Sequence, residues 1–389
     1  MTLAPTTLRP ARHAVRRAEA AVLRREGLPA NVRRSRGLAT AAASPIGYLG
    51  FAGRGNAGDD AILLAHRRAL PALDLALLPL EWERETLALL GRVRRRPLHA
   101  GVLVGGGTVV GREAWRRRLE VAQRGCPGPV AFTGVGVEDP AFRGELAHSS
   151  ADELARWAEV LGAAAHLTVR GPLSAQLLRG IGIEAAEVSD PALLLGPDRP
   201  SGATVRPKLL GLNIADPEDQ YRGTGSRVFD ACAAAVRTLL RSGWSVRLLA
   251  FTRKDLILAH AFRQALDGRV EIFPGFLDVD GLLSAIEQCD VLVGQRLHAV
   301  VLAAAVAVPA LAVDYRPKCR DFQLSIGRGD WTVSTLDVTA EVVVDNVVRL
   351  HEARAEHARQ IHEAVVTAKA ALRDGERVVA GLAGAQRAR

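Results

Sequence analysis

One unit recurs along this chain and constrains its fold more than any other feature: a short apolar run closed by glycine or a polar turn, then a helical pattern. Strand signals of this kind fall at Ile46–Phe51, Leu73–Leu80, Ala100–Val104, Val130–Val137, His166–Val169 and Ala186–Ser189. A polar, Pro- and Gly-bearing stretch at Gly196–Pro207 interrupts them. They resume at Leu209–Ile214, Ser245–Phe251, Val270–Phe273, Val291–Val293 and Ala310–Val313. Helical patterns lie between them, for example Asp59–Leu70, Leu173–Arg179, Arg227–Arg241 and Val279–Gln288. Continuous apolar strands alternating with helices are buried on both faces, which is the habit of parallel sheets covered by helices. An alternation that stops at a linker and restarts predicts an α/β protein of two Rossmann-like domains facing a cleft, with ligands at the carboxyl ends of the strands. The expected division is a basic arm at 1–44, a first domain at 45–200 and a second at 205–339 carrying the binding site. A C-terminal helix and tail follow at 340–389, with the amphipathic pattern running from Ala340 to Arg373.

A chain of 389 residues, 48% of them hydrophobic, has material for two cores. The net charge of +9 is unevenly placed: nine Arg between Arg9 and Arg36 stand against Glu19 and Glu26, so the arm carries +7 of it. A nucleic-acid binder carries its basic surface on the folded domain among stacking aromatics, so nucleic acid is not an expected partner. The arm suits either a solvated extension or a peripheral tether to an anionic membrane. Cys126, Cys232, Cys289 and Cys319 lie far apart with no CxxC pair, which points away from a zinc site and from a secreted disulfide framework. Arg interrupts every apolar stretch near the N-terminus, and the apolar run Ala299–Val313 contains Pro309 and is too short for a bilayer. The expectation is a cytoplasmic protein needing no metal.

Five segments hold the candidate chemistry. Gly53-Arg54-Gly55-Asn56-Ala57-Gly58-Asp59-Asp60 follows a strand and opens a helix, the context of a dinucleotide fingerprint, with Glu81 available as a ribose acid. Asp59 and Asp60, however, occupy the helix's positive end and oppose a pyrophosphate there; they suit helix caps or groups holding a sugar hydroxyl. Gly105-Gly106-Gly107 is either a tight turn or a backbone cradle for a ligand. Arg170 ends an apolar strand immediately before Pro172 starts a helix carrying Ser174. Gly294-Gln295-Arg296-Leu297-His298 presents a cation able to grip carboxylate or phosphate, with an imidazole able to donate a proton two residues later. Asp314-Tyr315-Arg316-Pro317-Lys318 contributes one of only four Lys in the chain, against 47 Arg. The helix start at His298 disfavours its charged form, so a trianionic ligand is needed to make it an acid.

On these residues the sequence resembles the polysaccharide pyruvyl transferase family. The likeness rests on Gly-Asn-x-Gly-Asp within Gly53–Asp60, the Gly105–Gly107 loop, Val169-Arg170 with Ser174, Arg296-Leu297-His298, and Tyr315 with Lys318, and it extends from about Gly47 to Asp321. The resemblance implies a glycosyltransferase-B-like pair of domains and phosphoenolpyruvate as donor, with no cofactor besides. By matching motif, Arg170 and Arg296 would hold the donor's carboxylate and phosphate, and His298 would be the general acid. Asn56, Gly58, Asp59, Gly105, Gly106, Gly107, Ser174, Leu297, Tyr315 and Lys318 would complete the binding site. The acceptor would be a saccharide or lipid-linked saccharide, with Asp59 or Glu138 as candidate bases. The alternatives are a glycosyltransferase using a nucleotide sugar, with Asp314 or Asp321 on its ribose, an NAD-dependent oxidoreductase built on Gly53–Gly58, and a non-catalytic envelope assembly factor.

Overall fold

A computed structural model describes residues 46–78, 99–125, 128–142, 149–198, 208–215 and 225–387. The basic arm, Glu81, Cys126 and most of the linker stretch lie outside those residues. In the first domain the strands are β1 (Ile46–Leu49), β2 (Leu75–Leu77), β3 (Gly101–Gly105), β4 (Thr108–Val110), β5 (Val130–Val137), β6 (His166–Val169) and β7 (Ala186–Glu187). Its helices are α1 (Ala57–Ala69), α2 (Glu113–Gly125), α3 (Ala151–Gly162) and α4 (Pro172–Arg179), and a 3-10 turn follows at Pro191–Leu195. The second domain contains β8 (Leu209–Asn213), β9 (Ser245–Leu249), β10 (Glu271–Phe273), β11 (Val291–Gly294), β12 (Ala310–Asp314) and β13 (Thr332–Ser334). Around them lie α5 (Gly225–Arg241), α6 (Arg253–Ala265), α7 (Val279–Glu287), α8 (Leu297–Ala305) and α9 (Pro317–Ser325), followed by α10 (Ala340–Glu352) and α11 (Arg354–Arg387).

The expected architecture is present: two sheets whose strand pairs are all parallel among the described residues, each with helices. The first has the order β2-β1-β3-β5-β6-β7, with β4 beside β5, and the second β10-β9-β8-β11-β12-β13. Strand order reverses between β1 and β3 in one sheet and between β8 and β11 in the other. A crevice opens at such switch points, and the chemistry-bearing loops leave the strands there. The interior strands β3, β5 and β11 are buried along their whole length, which is why they read as unbroken apolar runs. Helix α8 is also buried at every residue; its Ala-rich face lets it lie close beneath the sheet.

Two element boundaries differ instructively from expectation. The pattern from Ala340 to Arg373 is two helices broken at Ala353, and the second continues to Arg387 through a Gly- and Ala-rich stretch that reads as a tail. Local propensity there is poor, but Val379 packs among Ile46, Tyr48 and Leu103 of the first domain, and tertiary burial overrides propensity. Helix α11 thereby crosses back over the first domain. His66 Nδ1 lies 2.7 Å from Glu376 Oε1 in the interior, and Lys369 Nζ donates to the carbonyls of Gly196 (2.7 Å) and Pro197 (3.0 Å). The segment Leu73–Leu80 yields only the three-residue β2 among its described residues. No helix of the described residues is long and apolar enough to cross a membrane.

Candidate active site

The loop after β1 starts α1 with Asn56 as its cap: the Asn56 carboxamide accepts from Gly58 N (3.0 Å) and donates to Asp59 Oδ2 (2.6 Å). Gly53 N donates to Asp60 Oδ1 at 2.5 Å, and Ala57 N donates to the carbonyl of Phe251, across the cleft, at 2.9 Å. These amides are the ones a dinucleotide pyrophosphate would need, and the protein itself uses them. The Gly53–Gly58 loop is therefore a docking point onto the second domain, sealed by an antiparallel bridge between Asn56 and Thr252. Gly58 sits against His298; a Cβ there would overlap Nδ1, Cβ and Cγ of the imidazole.

The Gly105–Gly107 turn is fully buried, with Gly106 and Gly107 at positive φ. Side chains at Gly105 and Gly106 would collide with Tyr48 and Ile62, and one at Gly107 would press on Phe51. Gly106 N donates to the carbonyl of Thr133 (3.2 Å) and Tyr48 Oη to that of Gly105 (2.9 Å). These glycines have a packing requirement of their own.

Arg170 leaves the end of β6 and is 1% exposed. Its Nη2 donates weakly to Thr108 Oγ1 (3.4 Å), while Nε and Nη1 make no hydrogen bond. Nη1 lies 3.8 Å from Asp190 Oδ2, and Nε lies 3.9 Å from Asp321 Oδ2. Asp321 comes from α9 of the second domain and caps α4: it accepts from Leu173 N (2.9 Å), Ser174 N (3.3 Å) and Ser174 Oγ (2.6 Å). Ser174 thus meets the neighbouring domain's carboxylate, and Asp321 is occupied by that cap.

At the second switch point Arg296 caps α8. Its amide donates to Asn213 Oδ1 (2.9 Å), and its guanidinium is held bidentately by Asp255, Nε to Oδ2 and Nη2 to Oδ1, both at 2.6 Å. That buried pair fixes the side chain and engages its Nε–Nη2 edge, so Arg296 is less open to a ligand than its sequence position implies. Leu297 turns into the core, whereas His298, one residue on, is 7% exposed with an Nε2 that makes no hydrogen bond. Nε2 faces Asp190 Oδ2 at 3.7 Å, and that oxygen is likewise without a hydrogen bond. Burial holds the His298 pKa below its usual value, opposed by Asp190 and Asp59 and reinforced by Arg170 and Lys318. Burial pushes the Asp59 carboxyl up, opposed by His298, Lys318 and Arg296.

After β12, Tyr315 is buried beneath the Lys318 ammonium, 4.8 Å from the ring centre. Arg316 turns to Glu138 instead (Nη1 to Oε1, 3.1 Å), and Arg112 Nε holds the other oxygen of Glu138 at 2.7 Å. Glu138 is thereby a structural anion between two Arg. Asp314 is pushed up to about 7 by burial. Lys318, Ser174 and Asp321 also line a cavity of about 440 Å³ whose other walls include Leu154, Leu177 and Ile181.

The folded chain thus gathers Asp59, Arg170, Arg296, His298 and Lys318 into one electrostatic cluster, while Asn56, Gly58 and Ser174 support it from behind. The Gly105–Gly107 turn and Leu297 serve its framework. Asp190 and Asp255 escaped the sequence. Asp255 could have been found as the last residue of Thr252-x-x-Asp255, a helix-start signature, although nothing there points to its pairing with Arg296.

The model of the family described as polysaccharide pyruvyl transferase matches residues 56–317, more than half of the chain. No curated protein matches the sequence. Among solved structures, UDP-GlcNAc 2-epimerase from Neisseria meningitidis bound to UDP-GlcNAc superposes with a TM-score of 0.54 at 10% identity, over 87% of this chain and 99% of that one. MnaA of S. aureus in its co-structure with UDP gives 0.52 at 12% identity, over 83% and 90%. UDP-GlcNAc 2-epimerase from Methanocaldococcus jannaschii gives 0.50 at 12%, over 79% and 92%. These likenesses establish a glycosyltransferase-B-like α/β fold.

Proposed function

The chain belongs to the polysaccharide pyruvyl transferase family, and we propose that it moves the pyruvyl group of phosphoenolpyruvate onto two hydroxyls of a saccharide, forming a cyclic ketal and releasing phosphate. The observation that carries this is the set of buried polar atoms without hydrogen bonds at the centre of the cluster: Arg170 Nε and Nη1, His298 Nε2 and Asp190 Oδ2. Buried groups of this kind cost free energy unless a ligand completes them, and two of the three residues are cationic or able to become so. A small, densely anionic donor suits them, with Arg170, the free edge of Arg296 and Lys318 on its carboxylate and phosphate. No cofactor other than the donor enters the scheme.

The proton balance follows from the chemistry. His298 Nε2 gives a proton to the donor's methylene carbon, which becomes a methyl group and leaves a cationic C2. One acceptor hydroxyl adds to C2, and its proton returns to the imidazole. The second hydroxyl adds as the C–O bond to phosphate breaks, and its proton leaves with the phosphate. In this scheme Asp59, whose pKa burial raises, relays the first acceptor proton to the imidazole. The cavity beside Lys318 offers room for the acceptor on that side.

Burial holds the His298 pKa below its usual value, and a bound trianion would raise it. kcat, which reports the complex, should therefore hold to higher pH than kcat/KM, which reports the free enzyme. Labelled phosphoenolpyruvate with a panel of oligosaccharides should yield phosphate and a ketal-bearing saccharide by mass spectrometry. His298→Ala should lower turnover by about a hundredfold or more while still binding donor. Near-normal turnover in that variant would remove the acid from the scheme.

A further inference from the structure

Asp190 plays no part in the family likeness stated from the sequence, yet it is the most completely buried carboxylate at the site, with 0% exposure. Its two oxygens have different tasks. Oδ1 accepts from Ala192 N (3.0 Å) and caps the 3-10 turn at Pro191–Leu195. Oδ2 has no hydrogen bond and stands 3.7 Å from His298 Nε2 and 3.8 Å from Arg170 Nη1. The chain enforces this placement. Ser189, just before it, is buried in the left-handed region (φ 69°), with its Oγ tied to Ser325 Oγ at 3.0 Å across the domains. Pro191, just after it, packs so closely on Gly134 that a Cβ at Gly134 would press on it. Backbone strain of this kind in a buried polar segment marks a position where the side chain must be aimed.

His298 is confined from the opposite side, since Nδ1 lies against Gly58 and leaves Nε2 as its exchangeable face. The charged and titratable groups facing the imidazole come from four elements: Asp59 on α1, Arg170 after β6, Asp190 before the 3-10 turn and Lys318 on α9. Two are cations and oppose its protonation. Of the anions, Asp190 acts most strongly, ahead of Asp59.

We propose that Asp190 is the positioning residue of the general acid: its Oδ2, facing Nε2 at 3.7 Å without a hydrogen bond, draws that nitrogen into the centre of the cluster and sustains the imidazolium against the cations of Arg170 and Lys318, leaving the Nε2 proton free for the donor. This rests on the role given to His298 above. The proton itself passes from Nε2 to the donor carbon, so Asp190 gains and loses none.

The test is a pH titration of His298 by NMR in 13C-histidine-labelled full-length protein, without ligand, with the resonance assigned by His298→Gln. Asp190→Asn keeps the carboxamide oxygen for the cap on Ala192, and Asp190→Ser is a second variant that keeps the cap without a carboxylate. Both should move the His298 midpoint to lower pH by about one unit, and the basic limb of kcat/KM for phosphoenolpyruvate should move the same way, lowering kcat/KM about tenfold above that limb. Asp190→Glu should recover part of the shift. An identical midpoint in wild type and both variants, or a ring that stays neutral in all of them down to acid unfolding, overturns the proposal. A shifted midpoint in a protein that neither binds nor turns over phosphoenolpyruvate would leave the Asp190–His298 coupling standing and reject the pyruvyl transfer instead.

Discussion

A methyl group at Gly58 would occupy the space of the His298 ring, so the smallest residue of α1 sets the position of the imidazole. Gly58→Ala should cost about 1–3 kcal/mol of stability by overpacking and should lower turnover more than donor binding. Chemical denaturation and donor titration measure the two effects, and a variant with native stability and activity would mean that His298 has room to move. Residues such as Arg170, Arg296, His298 and Lys318 were legible in the sequence because each follows an apolar run, where a polar side chain has little structural reason to stand. Asp190 was not legible: it follows a two-residue strand of exposed residues and precedes a proline, so it reads as a turn. Asp255 was hidden differently. As the third residue of a capped helix it has a sufficient local role, and its pairing with Arg296 exists only after β9 and β11 have joined one sheet.

At the scale of elements, two helix starts make contacts between the domains. Helix α1 begins against Phe251 and Thr252 of the second domain, and α4 begins on Asp321 of α9. Asp321→Ala removes three hydrogen bonds from the start of α4 and the anion 3.9 Å from Arg170. A loss of about 2–3 kcal/mol should follow, with protease sensitivity rising at α4, and Asp321→Asn should lose less because it keeps one acceptor. Equal stability of Asp321→Ala and wild type would show that α4 is held by packing alone. The strands were readable as elements because burial on both faces leaves an apolar run; the run of α11 to Arg387 was not, because its stability comes from Val379 and Glu376 docking on the first domain.

Over the whole molecule, the loop after β1 meets the loop after β11 where Gly58 packs on His298, and α11 packs on both domains and holds the start of the linker through Lys369. Folding this interior buries several imidazoles in neutral form. Burial lowers His99 from 6.5 to about 4, and His166 and His298 are lowered by the same cause. Above pH 6.5 these rings are neutral in both folded and unfolded chains. As pH falls from 6.5 toward 4 the unfolded chain takes up protons that the folded one refuses, so stability declines across that window. His99 alone accounts for up to about 3 kcal/mol, and His99→Gln should flatten the fall of Tm with acid; an unchanged slope would assign acid sensitivity to other groups. The central claim, an anionic three-carbon donor held by Arg170 beside His298, is tested most directly by thermal stabilisation with phosphoenolpyruvate, a set of nucleotide sugars and NAD measured side by side. Phosphoenolpyruvate alone should raise Tm with concentration, and Arg170→Ala should abolish the rise. Stabilisation by a nucleotide sugar or by NAD, with none from phosphoenolpyruvate, would contradict it.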